Sequence, residues 1–439
     1  MRSVSSIAIV LLTLPIAAPA AAQAPRDVVA RGVTAMGGAD ALRAVRVTAT
    51  DLYGATFALG QEETPESPAR ANITLGRFTT DYAGGRQLST TEARNPGGAV
   101  IRQRRVTAGG IGMLETDGRQ TPDNPGAVAN VQTNMRRSPI PVLLGALDNP
   151  AALSALPART FRGVPHDGVR YVSGPDTLNL YFDRGSGLLT VQETITDDPI
   201  LGDRRAEIWM TRWQATGNIQ YPRQLDTYWN GRLQAHAVFT AVAVNPETPD
   251  SAFAIPDSIA RRAQRPNPTP APLVVTLVEL APGVWRAEGG THHSLVVDQG
   301  ARLLVVEAPQ TAARSRAVLD TLRSHFPNKP VGLVVNTHHH WDHAGGVRAY
   351  LAAGIPVVTH RRNLDFVQTL ARAPKTVASD ALSRAGSRPP QVRAVDDSLV
   401  LGEGASRVVV YRLPTAHVQG ILAAYVPSAG LLFQSDVLG

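Results

Sequence analysis

The apolar run Val331-Gly332-Leu333-Val334-Val335 ends abruptly in Thr337-His338-His339-His340-Trp341-Asp342-His343-Ala344-Gly345-Gly346. Three imidazoles and a carboxylate at H-x-H-x-D-H spacing, directly after a strand, constrain the fold more than any other stretch. Packing alone does not account for them. Imidazole nitrogen and carboxylate oxygen are the donors that a borderline cation such as Zn²⁺ takes when no thiolate is on offer, and this chain of 439 residues has no cysteine. An expression tag would sit at a terminus. This run is internal and interleaved with Trp341 and Asp342 before a small-residue turn, so it reads as a metal site.

The remaining composition sets the boundaries. Residues 1–22 pair a basic start (Arg2) with the apolar stretch 7–18 and the run Ala20-Ala21-Ala22, the pattern of a cleavable signal peptide. The expected location is therefore periplasmic or secreted. No later run approaches the ~20 apolar residues of a membrane span. Without cysteine the exported chain has no disulfides, and its metal ligands are N and O only. The formal charge of +7 comes almost wholly from arginine, Lys329 and Lys375 being the only lysines. Apart from short clusters such as Arg102-Gln103-Arg104-Arg105, the basic residues are scattered and not interleaved with aromatics, which argues against nucleic-acid binding. A small molecule is the expected partner.

The length suggests two domains. Residues 26–252 read as a mainly β domain introduced by helices. Val28, Val29, Val33 and Met36 recur at helical spacing, Gly37-Gly38 interrupts, and 39–44 forms a second short helix. Strand patterns follow at 47–58, 71–82, 87–93, 177–182, 188–194, 207–214, 224–228 and 233–244. The Gly-, Pro- and Asn-rich stretch 110–157 reads as loops with one short helix near Leu143. This strand rhythm resembles, loosely, the curved antiparallel half-barrels of the lipoprotein-carrier type. The Pro-rich segment 253–272 fits a semi-rigid linker. Residues 273–439 then alternate short strands (274–280, 284–286, 294–297, 302–306) with a helix over 311–326, carrying Val318, Leu319, Leu322 and Phe326 on one face.

From 273 onward the chain resembles the metallo-β-lactamase superfamily. Four features match in order: Gly290-Thr291-His292-His293-Ser294-Leu295; Glu307 after the next strand; the histidine motif; and the downstream pair Pro414-Thr415-Ala416-His417 and Phe433-Gln434-Ser435-Asp436. The resemblance implies an α+β chain whose C-terminal part is an αββα sandwich, incomplete here, behind the mainly antiparallel β domain. It also implies two ion positions, with His338, His340 and His417 at the first, Asp342 and His343 at the second, and Asp436 bridging both. Alternate residues on a tight loop can converge on one ion while Asp342 and His343 turn to a neighbour, leaving His339 non-ligating. The family's further His beyond the bridging Asp has no counterpart before Gly439, so the sequence reads as stopping within the fold.

The implied activity is hydrolysis with one or two Zn²⁺ ions, a metal-bound hydroxide attacking an ester, thioester, lactone, β-lactam or phosphoester, and Asp342 shuttling the proton. Two alternatives share the motif. One is a mononuclear-iron sulfur dioxygenase; the other is a non-catalytic envelope protein that binds a ligand and carries a degenerate site. His292 and His293 read as pocket-mouth or hairpin residues. His360 reads as structural, and His166, His236 and His325 as ordinary core or surface histidines. Glu307 reads as a turn residue or a carboxylate behind the ligands.

Overall fold

Alternation of β-branched and polar residues dominates the first half of the chain, and most of that half is sheet. The computed structural model describes residues 23–265, 273–386 and 389–437. The expected signal segment 1–22 and the end of the Pro-rich stretch lie outside the described residues. Six strands, Val47–Phe57, Ala71–Asp81, Arg86–Arg94, Val100–Ala108, Ile111–Thr116 and Arg119–Pro122, form one meander. Seven more, Leu153–Phe161, Val164–Ser173, Asp176–Asp183, Leu189–Asp198, Gly202–Thr216, Ile219–Trp229 and Arg232–Val244, form another. The first strand pairs with the last, Thr48 opposite Val244, which joins the two meanders into a single open antiparallel sheet of thirteen strands. Helices Pro25–Ala35 and Pro139–Asp148 pack on it, and Val29, Met36 and Leu143 share one core with Leu180 and Phe182.

The stretch 110–157 differs from the expected loops. It holds two strands, the helices Pro125–Arg136 and Pro139–Asp148, and the start of a third strand. Its punctuating residues are turn and cap residues of these elements. Gly109-Gly110 and Asp117-Gly118 have positive φ, as tight hairpin turns require. Pro125 and Pro139 open their helices, where a missing N–H costs nothing. Asn124 caps the first by accepting from Gly126 N at 2.7 Å. The cluster Arg102–Arg105 lies within a strand, with Arg102 paired to Glu92 at 2.9 Å and Arg105 to Asp123 at 2.7 Å. Part of the Pro-rich stretch forms the helix Asp257–Ala263, and Phe253 and Ile259 bury themselves against Val106 and Met113.

The second half is built on a seven-stranded mixed sheet. Thr276–Ala281, Val284–Glu288, Ser294–Asp298 and Leu303–Val306 run antiparallel; Val331–Val335, Val357–His360 and Val392–Val395 then add in parallel. The middle strands are apolar throughout because both faces are covered. Helices Ala312–His325, Val347–Ala352 and Leu364–Arg372 cover one face. The other packs on a four-stranded antiparallel sheet, Ser398–Leu401, Val408–Leu413, Ile421–Val426 and Leu431–Phe433. Among the described residues no helix is long and apolar enough to cross a membrane.

The halves dock at two places. The hairpin after Asp198 pushes Ile200 into the core of the second half, and Asp203 N donates to Pro374 O at 2.7 Å. Lys375, itself buried, donates to Asp197 and to the carbonyl of Asp198, both at 2.7 Å. The loop between the first two strands, residues 58–70, forms the other contact and reaches the histidine motif.

Arg348 anchors the helical layer beneath that motif. It donates to both carboxylate oxygens of Asp380, at 2.6 and 3.0 Å, and to the carbonyls of Leu370 and Ala371. Burial opposes ionisation of Asp380, but Arg348 and the Ser383 amide and hydroxyl outweigh it and hold the carboxyl well below the usual range. Asp380→Asn leaves a buried guanidinium without its counter-charge, so it is expected to cost about 2–4 kcal/mol near neutrality. A carboxyl with a depressed native pKa stabilises fully above its unfolded value, about 4, and loses that contribution as pH falls below it. Denaturant titrations of both proteins between pH 7 and pH 3 check this: the gap narrows below about pH 4 but persists in part at pH 3, because the native carboxyl is protonated only well below that, and a pH-independent gap contradicts the ion pair.

Candidate metal centre

Val331–Val335 is a fully covered parallel strand, and the loop at its carboxyl end is buried as deeply as the strand. His338, His339, His340 and His343 are each at most 1% exposed. The backbone here is tied down from both sides. Asn336 N donates to Val358 O at 2.8 Å, and Leu422 N donates to Thr337 O at 2.9 Å. The short helix Trp341–Ala344 carries Asp342 and His343 in its first turn. Gly345 and Gly346 allow the next helix to pack against this turn. A Cβ at Gly345 would lie 2.0 Å from the Gln310 carbonyl oxygen, and one at Gly346 2.1 Å from Ser315 Oγ.

Each imidazole is oriented by its second nitrogen. Thr337 Oγ1 donates to Glu307 Oε2 at 2.6 Å, so it can accept from His338 Nδ1, 3.0 Å away. His338 Nε2 is left with a free lone pair. His340 Nε2 lies 2.9 Å from the Glu62 carbonyl and must donate to it, which frees Nδ1. His343 Nδ1 is 3.0 Å from Glu307 Oε2, which frees Nε2. The outward nitrogens, His338 Nε2, His340 Nδ1, His343 Nε2 and His417 Nε2, are all buried, and none has an aligned hydrogen-bond partner. They converge on Asp436, whose Oδ2 lies 2.9 Å from His343, 3.2 Å from His417 and 3.6 Å from His338.

The electrostatics separates the two sides of this cluster. Burial and the neighbouring imidazoles push His338 well below its ordinary pKa. Burial likewise takes His340 down to about 4. Both are neutral at physiological pH, the form in which imidazole can ligate. Burial opposes charge on His343 as well, but the Glu307 and Asp436 carboxylates outweigh it and raise the pKa to about 10. Close contact with the His343 imidazolium, 2.9 Å away, in turn holds Asp436 at about 2. A proton between two carboxylates occupies the place where a cation is favoured.

The six residues singled out from sequence thus lie together. By proximity the donor atoms fall into two groups, His338, His340, His417 and Asp436 in one and His292, Asp342 and His343 in the other. His339 stands apart, edge-on to Phe366 at 5.6 Å. His360 accepts from Arg362 N, His166 bonds Val164 O and Thr190, His236 faces Asp226, and His325 packs edge-on to Phe326.

Residues 287–439 match the sequence model of the metallo-beta-lactamase superfamily. This segment belongs to the metallo-beta-lactamase superfamily. The 2,4-dinitroanisole O-demethylase subunit alpha of Nocardioides sp. (strain JS1661) is 24% identical over 155 residues, 35% of this chain and 44% of that protein. An (R)-specific secondary-alkylsulfatase of Pseudomonas sp. is 30% identical over 103 residues, 23% of this chain and 15% of that protein. The chain therefore spans less than half the length of these curated relatives. Among solved structures, a metallo-beta-lactamase from Pontibacter korlensis aligns at 20% identity and TM-score 0.29, covering 38% of this chain and 74% of that one. One from Hirschia baltica aligns at 16% and 0.28, covering 36% and 69%.

Several supporting residues of this candidate centre come from the first half of the chain. Gln61 Nε2 donates to Asp342 Oδ1 at 2.9 Å, and Trp341 N donates to Gly60 O at 3.3 Å. The buried Glu62 is fixed by Arg232 at 2.7 Å and by Gly60 N at 2.8 Å, so its carbonyl stays aimed at His340. Nothing in the sequence marks Gln61 or Glu62, which lie about 280 positions from the residues they touch. Glu307 was visible as a carboxylate after a strand, but its bond to His343 was not. Replacing it with Gln exchanges an acceptor for a donor beside Nδ1, so Glu307→Gln is expected to weaken metal affinity about 10–100-fold. Competition titration with a chelating dye reads this directly; an unchanged affinity rules out the orienting role.

Proposed function

We propose that this protein is a metal-dependent hydrolase that takes zinc at the histidine cluster. The observation that carries the reading is the set of four buried imidazole nitrogens left without aligned partners, three of them within 3.6 Å of one carboxylate oxygen. Orphaned buried polar atoms are costly, and imidazoles fixed from behind by Thr337, Glu62 and Glu307 match what a cation needs. All-N/O donors including several imidazoles suit Zn²⁺.

When bound, the ion supplies Lewis acidity, polarising an acyl or phosphoryl oxygen and acidifying water near neutral pH. The chain supplies the rest. His338, His340 and His417 would hold the ion as neutral ligands, and Asp436 would balance its charge. Asp342 is a partly exposed carboxylate beside the cluster; Gln61 holds its Oδ1, which leaves Oδ2 to orient a water and pass its proton to a leaving group. The loop 58–63 shuts solvent from the far side of His340.

The substrate class is an ester, thioester, lactone, β-lactam or phosphoester. The names of the two relatives add a secondary alkyl sulfate and 2,4-dinitroanisole to the compounds worth testing. The N-terminal pattern of residues 1–22 supports export. The four-donor group of His338, His340, His417 and Asp436 counts against a degenerate, purely ligand-holding site.

The test is metal analysis of the purified protein together with turnover of p-nitrophenyl esters, nitrocefin and bis-p-nitrophenyl phosphate. Hydrolysis that a chelator removes and Zn²⁺ restores is expected, and His338→Ala should lose more than the about 10–100-fold typical of a supporting residue. Iron with oxygen consumption, or no metal and no turnover, rejects the hydrolase.

A further inference from the structure

His292 lies on the loop that precedes the buried strand Ser294–Asp298, distant in sequence from the histidine motif. Its Nε2 is 3.5 Å from Asp342 Oδ2, and its ring meets His343 edge-on with centroids 4.9 Å apart. One donor atom from each of His292, Asp342 and His343 lies within 4.8 Å of the other two. From this geometry we propose that His292 is a metal ligand, completing with Asp342 and His343 a second ion position beside that of His338, His340 and His417. The second ion position itself follows from the family resemblance; the inference rests on the metal-dependent reading above and adds to it a ligand outside the motif.

The loop is built to hold that ring in place. Gly289 and Gly290 take φ of 142° and 108°, a turn that side chains resist. At Gly290 a Cβ would lie 2.8 Å from Gln310 Oε1. Gln310 closes the arrangement. Its Nε2 donates to Thr291 Oγ1 at 2.7 Å, and its backbone N donates to the carbonyl of Asp342 at 2.8 Å. The hairpin loop and the Asp342 turn are thus tied through one residue, itself at φ 63°. Thr291 Oγ1 lies 2.8 Å from His292 Nδ1. With Nδ1–H donating to that oxygen, the Nε2 lone pair faces Asp342, the arrangement by which ligating imidazoles are ordinarily fixed. His343 is held in the same manner through Glu307. Two imidazoles and one carboxylate make a three-ligand set that leaves positions open for water and substrate. His292 is also partly exposed, as is Asp342.

The decisive measurement is stoichiometry, not turnover. The chelator-stripped full chain is titrated with Zn²⁺ calorimetrically, and the retained metal is counted after gel filtration. Wild type is expected to take two equivalents. His292→Ala should keep one at wild-type affinity and bind the other more than about 10-fold more weakly. His338→Ala, used as a reference, should weaken the other equivalent. Because His292 is partly exposed, the stripped variant should melt with wild type, and circular dichroism checks that the fold is kept. Two equivalents with unchanged affinities in His292→Ala overturn the inference, as does a single equivalent in wild type that His292→Ala leaves intact; the hydrolase reading survives both results. Failure of wild type to bind Zn²⁺ at all overturns that reading and this inference together.

Discussion

The Glu307 carboxylate is the interaction on which the centre depends. It is buried at the end of a central strand, in a left-handed conformation (φ 86°) that a non-glycine residue adopts at a cost of order 1–3 kcal/mol. Its surroundings hold it there. Ser294 donates to its carbonyl at 3.0 Å, and its own N–H donates to Val335 O at 2.8 Å. One oxygen then takes Thr337 and His343 together. Through Thr337 the carboxylate sets the tautomer of His338, and directly it sets that of His343. One buried charge thereby aims an imidazole of each donor group, and the positive charge favoured at His343 offsets its desolvation.

The two halves of the chain meet at the site. The loop 58–63 supplies the acceptor that fixes His340 and the donor that fixes Asp342, while the hairpin after Asp198 locks the helical layer from the other side. Between these contacts lies a cavity of about 280 Å³, lined by Leu59, Pro65, Ile200, Trp229, Trp341 and Phe366. The large antiparallel sheet therefore acts as a structural part of the centre. Candidate ligands borne by one half are aimed by a backbone carbonyl and a side-chain amide of the other, a placement that resists the ~0.5 Å looseness to which such sites are sensitive.

The sequence made the motif legible because its chemistry is local. His338, His340, Asp342 and His343 fall within six positions, and a strand must deliver them together. His417 and Asp436 were legible only by family resemblance, since nothing local in Thr415-Ala416-His417 points to a distant strand end. His292 was ambiguous: a histidine on a hairpin looks the same whether or not an Asp lies 3.5 Å away. Gln61 and the Glu62 carbonyl were invisible, because a backbone acceptor carries no sequence signal and a lone loop glutamine carries none that names its distant partner. The helices within 110–157 were obscured for another reason. Asn124-Pro125 and Ser138-Pro139 are equally good loop residues and helix starts, and only packing of Val128, Ile140 and Leu143 distinguishes the two.

X-ray absorption at the zinc edge of the loaded protein tests the central claim most directly. The account predicts a first shell of nitrogen and oxygen only, at about 2.0–2.1 Å, with the outer-shell scattering of several imidazoles per ion. A spectrum without imidazole scattering would contradict it.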